Sequence, residues 1–443
     1  MTDTSKLKHE CPDTTQMRTT AAENETWLAH YISSARLLSK NAKLYLVGAF
    51  LFGITHANFQ LLFNLYLREG GAGESTIGDV LAWIARGSAL LALPAGFLLM
   101  RVRLKPVLIF SLVFYSAGVF MLSSWDDLSW LWPFAMIAGM SITFFRISGA
   151  PFYMRNSTPK ERPLLFALGF GMMSLAGGVG SLGAGYLVAF FNTHTADLVL
   201  AHRYALYVGI SIGALAIIPF SLIKAKRPSV EESRQRLKLS EILQRMPLYL
   251  RVFIPYFLLG SGAGLIIPFL NIYFRDRFGQ SAGEIGLYFF GVQIAMFLGT
   301  LAAPAFVRKI GRVRTIVLTE LLSIPFMLAL AYTDQLGLAV AAFLLRGAFM
   351  NLGQPVATNF SMEIVSEREQ GLLNSIMHLA WTGSWALSTS FGGALIEKHG
   401  YELPFYLTIG LYILSASLYY LFFHGYEEKK GHVFVINNGV NKL

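Results

Sequence analysis

Three arginines stand inside long apolar runs of this sequence: Arg86, Arg146 and Arg346. An arginine at the centre of a membrane span costs roughly 2.5–3.5 kcal/mol on insertion scales, so each needs a reason. A guanidinium offers forked donors that match a carboxylate or a phosphate. Arg346, Met350, Gln354 and Thr358 recur every four residues, which makes one partly polar helical stripe, with Asn351 on the adjacent face. His56, Gln60 and Asn64 make a second stripe at the same interval, and Asn58 lies off it. Gln293, His378, Trp381 and Trp385 add hydrogen-bonding and aromatic groups inside later apolar runs. The chemistry these residues suit is reversible binding of a small solute. Packing or interhelical hydrogen bonding is the competing account for each, most directly for Asn64, Asn271 and the tryptophans.

Carboxylates are scarce in the same runs. Glu320 is the only acid well inside one, while Asp79, Glu284 and Glu363 sit near ends. Asp79 precedes Arg86 by seven residues, on the same face two turns away, so a structural Arg86–Asp79 pair is expected. A coupling proton needs a titratable group in the path, and His56 and His378 qualify because imidazole titrates near neutrality. No HExxH helix, nucleophile–base arrangement or GxxxxGK[ST] loop is found, so neither catalysis nor direct ATP use is expected. GVGSLG at Gly178–Gly183 matches GxGxxG but lies inside an apolar run rather than after a strand, and is read as helix packing. Cys11 is the only cysteine. No metal site and no cofactor are expected.

The elements that must carry these residues are membrane spans. Hydrophobic residues make up 54% of the 443-residue chain and charged residues 14%, against about 25% charged in soluble chains. Twelve stretches reach the roughly 20 mostly apolar residues that a span requires. They are about Leu44–Leu67, Thr76–Met100, Pro106–Ser123, Leu128–Met154, Leu164–Phe191, Tyr204–Ile223, Val252–Phe274, Gly283–Val307, Thr315–Tyr332, Leu336–Met362, Leu372–Ile396 and Leu403–Phe423. The fold expected is an all-α integral membrane protein with two pseudo-symmetric six-helix bundles, residues 44–223 and 252–423, joined by a basic linker at 224–251. Residues 1–43 form an N-terminal tail, where Trp27–Lys40 is an amphipathic surface helix or a plain linker helix, and 424–443 form a C-terminal tail. Residues 1–26 hold no apolar signal-peptide core, so the first span is expected to act as its own insertion signal.

Orientation follows from the loops. Those after even-numbered spans hold Arg101, Arg103, Lys105, Arg155, Lys160, Arg162, the linker cations, Arg308, Lys309, Arg312, Arg314 and Arg368. The opposite loops hold only Arg68, Arg203, Arg275, Arg277 and Lys398, and one is the acidic turn Trp125–Asp127. Positive residues stay inside, which places both termini and the linker in the cytosol and the protein in the cytoplasmic membrane. The formal charge of +10 therefore reports topology, and no nucleic-acid partner is expected.

The sequence also repeats itself. NLYLRE from Asn64 returns as NIYFRD from Asn271, and PFYMRNSTPKERPLLFAL from Pro151 is mirrored by PVATNFSMEIVSEREQGLLNSI from Pro355. With its twelve spans, 6+6 repeat and charged central linker, the chain resembles the major facilitator superfamily over nearly its whole length. GFLLMRVRLK from Gly96 and PAFVRKIGRVR from Pro304 resemble that family's loop signature, with Met100 and Arg308 where an acid is usual. The resemblance makes Arg101, Arg103, Lys105, Arg308, Gly311 and Arg312 the cytosolic gate loops, while the missing acids leave those cations as topology anchors. Span five, GFGMMSLAGGVGSLGAGYL from Gly169, is similar to the glycine-rich fifth span of drug–proton antiporters but lacks its Gly-Pro pair, so antiport is not carried over.

The resemblance further implies that spans one, four, seven and ten line the central path. Arg146 and Arg346 are then candidates for one shared site, with His56, Gln60, Gln354, Asn351, Gln293, His378 and Trp381 around it. Arg346 equally resembles an arginine that organises the helix bundle, and Glu320 falls on a peripheral span, where it suits a local structural bond. Arg86, Asp79 and Glu320 are the candidates for coupling or gating. The expected function is secondary transport of a small solute by alternating access, weakly biased toward an organic anion, by a monomer with a proton or another ion as the open coupling partner. Efflux of lipophilic or neutral compounds is the alternative, and a membrane sensor that moves nothing is the alternative of another class.

Overall fold

The computed structural model describes residues 38–99, 101–124, 127–157, 162–224 and 239–439. Met100, most of the segment Trp27–Lys40 and half of the linker lie outside them. The described residues form helices and no strand. Span one is Lys40–Glu69, two Glu74–Leu99, three Leu104–Ser124, four Leu131–Asn156, five Arg162–Thr195 and six Leu198–Leu222. Span seven is built of Leu239–Ile266, a 3-10 turn at Ile267–Phe269, and Leu270–Phe278. Eight is Ala282–Ile310, nine Arg312–Tyr332, ten Leu336–Glu363, eleven Glu367–His399 and twelve Glu402–Gly439, which takes in most of the expected C-terminal tail.

Eleven of these helices are long and apolar enough to cross a membrane, and span eleven is the exception. Its polar residues explain the difference. Ser384, Ser388 and Thr389 are buried, and Ser384 and Ser388 lie against Gly260 and Gly264 of span seven. They face protein rather than lipid, so the helix reads as too polar without exposing that polarity to the bilayer.

Spans one to six pack largely among themselves: one against five and six, two against four, three against four and six. In the second set seven packs against eleven and twelve, ten against eight and nine, and nine against twelve. Two long seams join the sets, span two along eleven and span five along eight. Glycine makes these seams close. A methyl group on Gly393 would meet the Glu74 carbonyl oxygen, and one on Gly185 would meet that of Ala282. Gly178 lies against Phe290 and Gly180 against Ile54, so the GVGSLG run is the packing surface of span five for spans eight and one. The molecule has two loop-bearing ends: the odd-loop face, with the loops after spans one, seven and the other odd helices, and the even-loop face opposite.

Candidate functional site

Arg146 lies in the second half of span four and is exposed within the membrane-length helix. Its Nη2 lies 3.2 Å from Nε2 of His56 on span one. A guanidinium can only donate, so His56 Nε2 accepts and the imidazole proton sits on Nδ1. That Nδ1 is 2.7 Å from the hydroxyl of Tyr115 on span three, which accepts it. Gln60, one turn beyond His56, places its side-chain amide 3.3 Å from the same Nε2. His378 of span eleven is close enough to Arg146 for the two to interact electrostatically. His378 Nε2 and Trp385 Nε1 are buried without hydrogen-bond partners. The Trp381 and Trp385 rings sit 5.7 Å apart on the same helix. Four helices therefore converge on one guanidinium that has no carboxylate in ion-pair contact among the described residues.

The second arginine does not join this group. Arg346 is 4% exposed, and its Nη2 donates over 3.3 Å to Tyr412 of span twelve. A side chain so enclosed by the second helix set cannot present its fork to the same open space as Arg146. The shared two-arginine site is not formed in this structure. Gln354 likewise turns away, lining a small cavity with Glu320 between spans seven, nine, ten and twelve. Asn351 spends its amide on the Gly347 carbonyl of its own helix, 3.0 Å away. Gln293 fills the hollow over Gly177 at the seam of spans five and eight.

The Arg86–Asp79 pair expected from spacing is absent. Trp83 stands on the turn between them, and the Arg86 guanidinium lies 4.4 Å from its ring centroid. Asp79 accepts instead from Ser390 of span eleven, across the seam. On the even-loop face Arg101, Arg103 and Arg308 are exposed and Lys105 half-buried. Arg312 pairs with Glu363 at the end of span ten. Gly311 turns the chain between spans eight and nine at φ +85° and ψ 172°, a conformation that side-chain-bearing residues avoid.

The repeated Asn-x-Tyr-x-Arg-acid motif turns out to be a cross-set clasp at the odd-loop face. Asn64 Nδ2 donates to the Pro268 carbonyl at 2.5 Å, and Asn271 Nδ2 donates to the Leu61 carbonyl at 2.7 Å. Each asparagine thus reaches the carbonyl three residues ahead of its counterpart. The 3-10 turn at Pro268 loosens the helical bonding there and leaves that carbonyl available. One turn further on, Arg68 Nη2 lies 3.1 Å from Asp276 and Arg275 Nε 2.6 Å from Glu69. Arg68 also reaches Glu74 at 3.2 Å. Glu397 of span eleven accepts from the Ser75 backbone at 2.8 Å. A cleft of about 780 Å³ borders these residues, lined also by Val188, Asn192 and His202. Sequence reading noticed the repeat and gave its asparagines a structural role, but assigned Arg68, Glu69, Arg275 and Asp276 none. Their matched positions in the two copies were the signal.

Against known proteins, no curated sequence matches the chain. Its fold is shared with solved structures over most of their length. A bacterial homolog to the human lysosomal transporter Spinster, inward-facing and unoccupied, aligns with a TM-score of 0.70 at 13% identity, covering 86% of this chain and 96% of that one. A mutant of the nucleoside transporter NupG aligns at 0.69 and 15% identity, covering 86% and 100%. The human organic anion transporter MFSD10 (TETRAN) aligns at 0.60 and 16% identity, covering 86% and 99%. The sequence profile of the Major Facilitator Superfamily matches residues 45–279, the first six helices and the seventh, and again residues 252–434. A profile that fits twice along one chain, on helices stacked like those of solved transporters, makes this multi-pass membrane protein a member of the Major Facilitator Superfamily of secondary transporters.

Proposed function

We propose that the protein carries a small organic anion across the cytoplasmic membrane by alternating access, with Arg146 as the anion contact. The observation that carries this reading is the state of that guanidinium. It lies within a membrane-length helix, is exposed, and is met by neutral His56 and Gln60 rather than by a carboxylate. An arginine in a membrane protein ordinarily pairs with an acid or a backbone carbonyl, or lines a substrate pathway. Here the position opposite it is free for a ligand carboxylate or phosphate, and the unpartnered His378 Nε2 offers a further hydrogen bond from the other helix set. Rocking of residues 44–223 against 252–423 as two related bundles would open this position to each side in turn. The clasp supports the odd-loop face as the closed side of the described conformation. The cation-rich loops support the even-loop face, with both termini, as the cytosolic one.

Thermal unfolding of the purified protein against mono- and dicarboxylates, phosphate esters, neutral solutes and hydrophobic cations tests the reading. A ligand at a hundred times its Kd stabilises by about 2.7 kcal/mol. Stabilisation by one anion class, lost in Arg146→Gln and followed by flux of that anion into liposomes, is the expected result. Stabilisation only by neutral compounds or hydrophobic cations, unchanged in Arg146→Gln, would overturn the anion and leave an efflux carrier.

A further inference from the structure

The clasp at the odd-loop face uses only one side of its charged groups. Arg275 Nε donates to Glu69 Oε1 at 2.6 Å, and Arg275 Nη1 donates to Asp276 at 2.7 Å. Glu69 Oε2 and Arg275 Nη2 have no partner among the described residues, and neither atom is enclosed. Both residues line the cleft of about 780 Å³, a volume within the roughly 300–1,000 Å³ of small-molecule pockets. Its walls come from spans one, five and six of the first set, and from the facing ends of spans seven and eight with their loop.

His202 of span six supplies a second, independent observation. Its ring lines the same cleft and is 2% exposed. Nδ1 lies 2.8 Å from the Leu198 carbonyl, which can only accept, so the proton of the neutral imidazole is on Nδ1. Nε2 is left as a buried acceptor that no group of the described chain serves. Buried polar atoms are ordinarily bonded, which calls for a donor from outside the chain. His202 interacts electrostatically with both Glu69 and Arg275, so the three form one cluster. Two acceptors, His202 Nε2 and Glu69 Oε2, thus stand beside one open guanidinium edge. An ammonium brings three N–H donors to the acceptors, and a carboxylate accepts from the guanidinium. An α-amino acid carries both groups on one carbon. Leu65, Val188, Leu198 and Ala282 add an apolar wall for a short side chain. A lone carboxylate would meet Glu69 and a lone amine would meet Arg275, so neither half suits the cleft by itself.

We infer that this cleft is a second solute site, for a small α-amino acid whose ammonium binds His202 and Glu69 and whose carboxylate binds Arg275. It is separate from the place at Arg146, since thirteen residues, about 20 Å along span one, lie between His56 and Glu69. Both helix sets wall the cleft, so its ligand binds while the clasp is closed and favours that conformation. That consequence for transport rests on the reading above, but the binding itself does not.

Protection of a single cysteine in the full chain tests the site. With Cys11→Ser and Asn192→Cys, at an exposed position lining the cleft, maleimide labelling is timed under three conditions. These are a millimolar mixture of the standard α-amino acids without cysteine, propionate, and propylamine. The mixture is expected to slow labelling several-fold and saturably, while propionate and propylamine leave it unchanged. Protection should vanish in His202→Phe, which removes the acceptor, and in Glu69→Gln, which keeps the acid's shape and so its fold. It should persist in Arg146→Gln. No slowing by the mixture would mean that water alone fills the cleft, and would overturn the site. Protection that survives both His202→Phe and Glu69→Gln would overturn the contacts, and equal protection by propionate or propylamine would overturn the ligand class. Loss of protection in Arg146→Gln would place the effect at the transport site instead. Failure of every anion to stabilise the protein would count against the transport reading alone, since this protection needs none.

Discussion

His56 shows how a single side chain is set by its neighbours. Arg146 needs an acceptor at Nε2, and Tyr115 receives the proton at Nδ1, so the three residues work only with a neutral imidazole in one tautomer. Tyr115→Phe removes the acceptor and frees the other tautomer, which would aim an N–H at the guanidinium. With a hydrogen bond worth about 1 kcal/mol, anion affinity in the thermal-shift titration is expected to fall roughly fivefold. Gly311 is the backbone counterpart. At φ +85° and ψ 172°, Gly311→Ala is expected to cost about 1–3 kcal/mol in the unfolding midpoint without changing ligand affinity. Neither residue's environment follows from its own identity. The stripe of His56, Gln60 and Asn64 was legible as polar, but that Asn64 serves the clasp while His56 serves the arginine depends on which helices stand opposite.

Between helices, the clasp is the feature whose energetics can be tested most cleanly. Its four charged side chains are 16–30% exposed, so single pairs are screened and each contributes modestly. Together with the paired asparagines they bind spans one and seven at one face. With Cys11→Ser and a single cysteine at Val188, in the cleft beside the clasp, maleimide labelling should speed up several-fold in Arg275→Glu. It should return toward the original rate when Glu69→Arg restores the pair with exchanged charge. Equal labelling in all three would mean that the pairs do not hold that face closed. Helix contacts that rest on glycine, such as that of spans two and four, should be less forgiving. Gly139→Ala places a methyl against the Ile84 carbonyl, and is expected to cost about 1–3 kcal/mol in thermal stability.

At the scale of the molecule, two sets of six helices meet along the seams of spans two with eleven and five with eight. The cations lie at one end and the clasp at the other. Fluorescent or protease-cleavable tags on the N- and C-termini should both report the cytosol, and an accessible tag in the loop after span seven should report the opposite side. A split result between the two termini would contradict the orientation read from the loops.

Composition and the length of apolar runs were enough to determine a helical membrane protein of eleven or twelve spans, because a bilayer leaves so few ways to satisfy a backbone. The repeat was equally readable, since matched residues near a constant offset need no coordinates. Span eleven, counted among the apolar stretches as Leu372–Ile396, is the one helix too polar to qualify over its full length, because its serines and threonines face other helices. Side-chain partners were a different matter. Spacing on one helix put Asp79 and Arg86 on a common face, yet Trp83 and Ser390 took them instead. Family architecture put Arg146 and Arg346 on path-lining helices, yet helix rotation turned one toward His56 and the other toward Tyr412. Periodicity records which residues share a helix face. Only the packing of all the helices decides what that face meets.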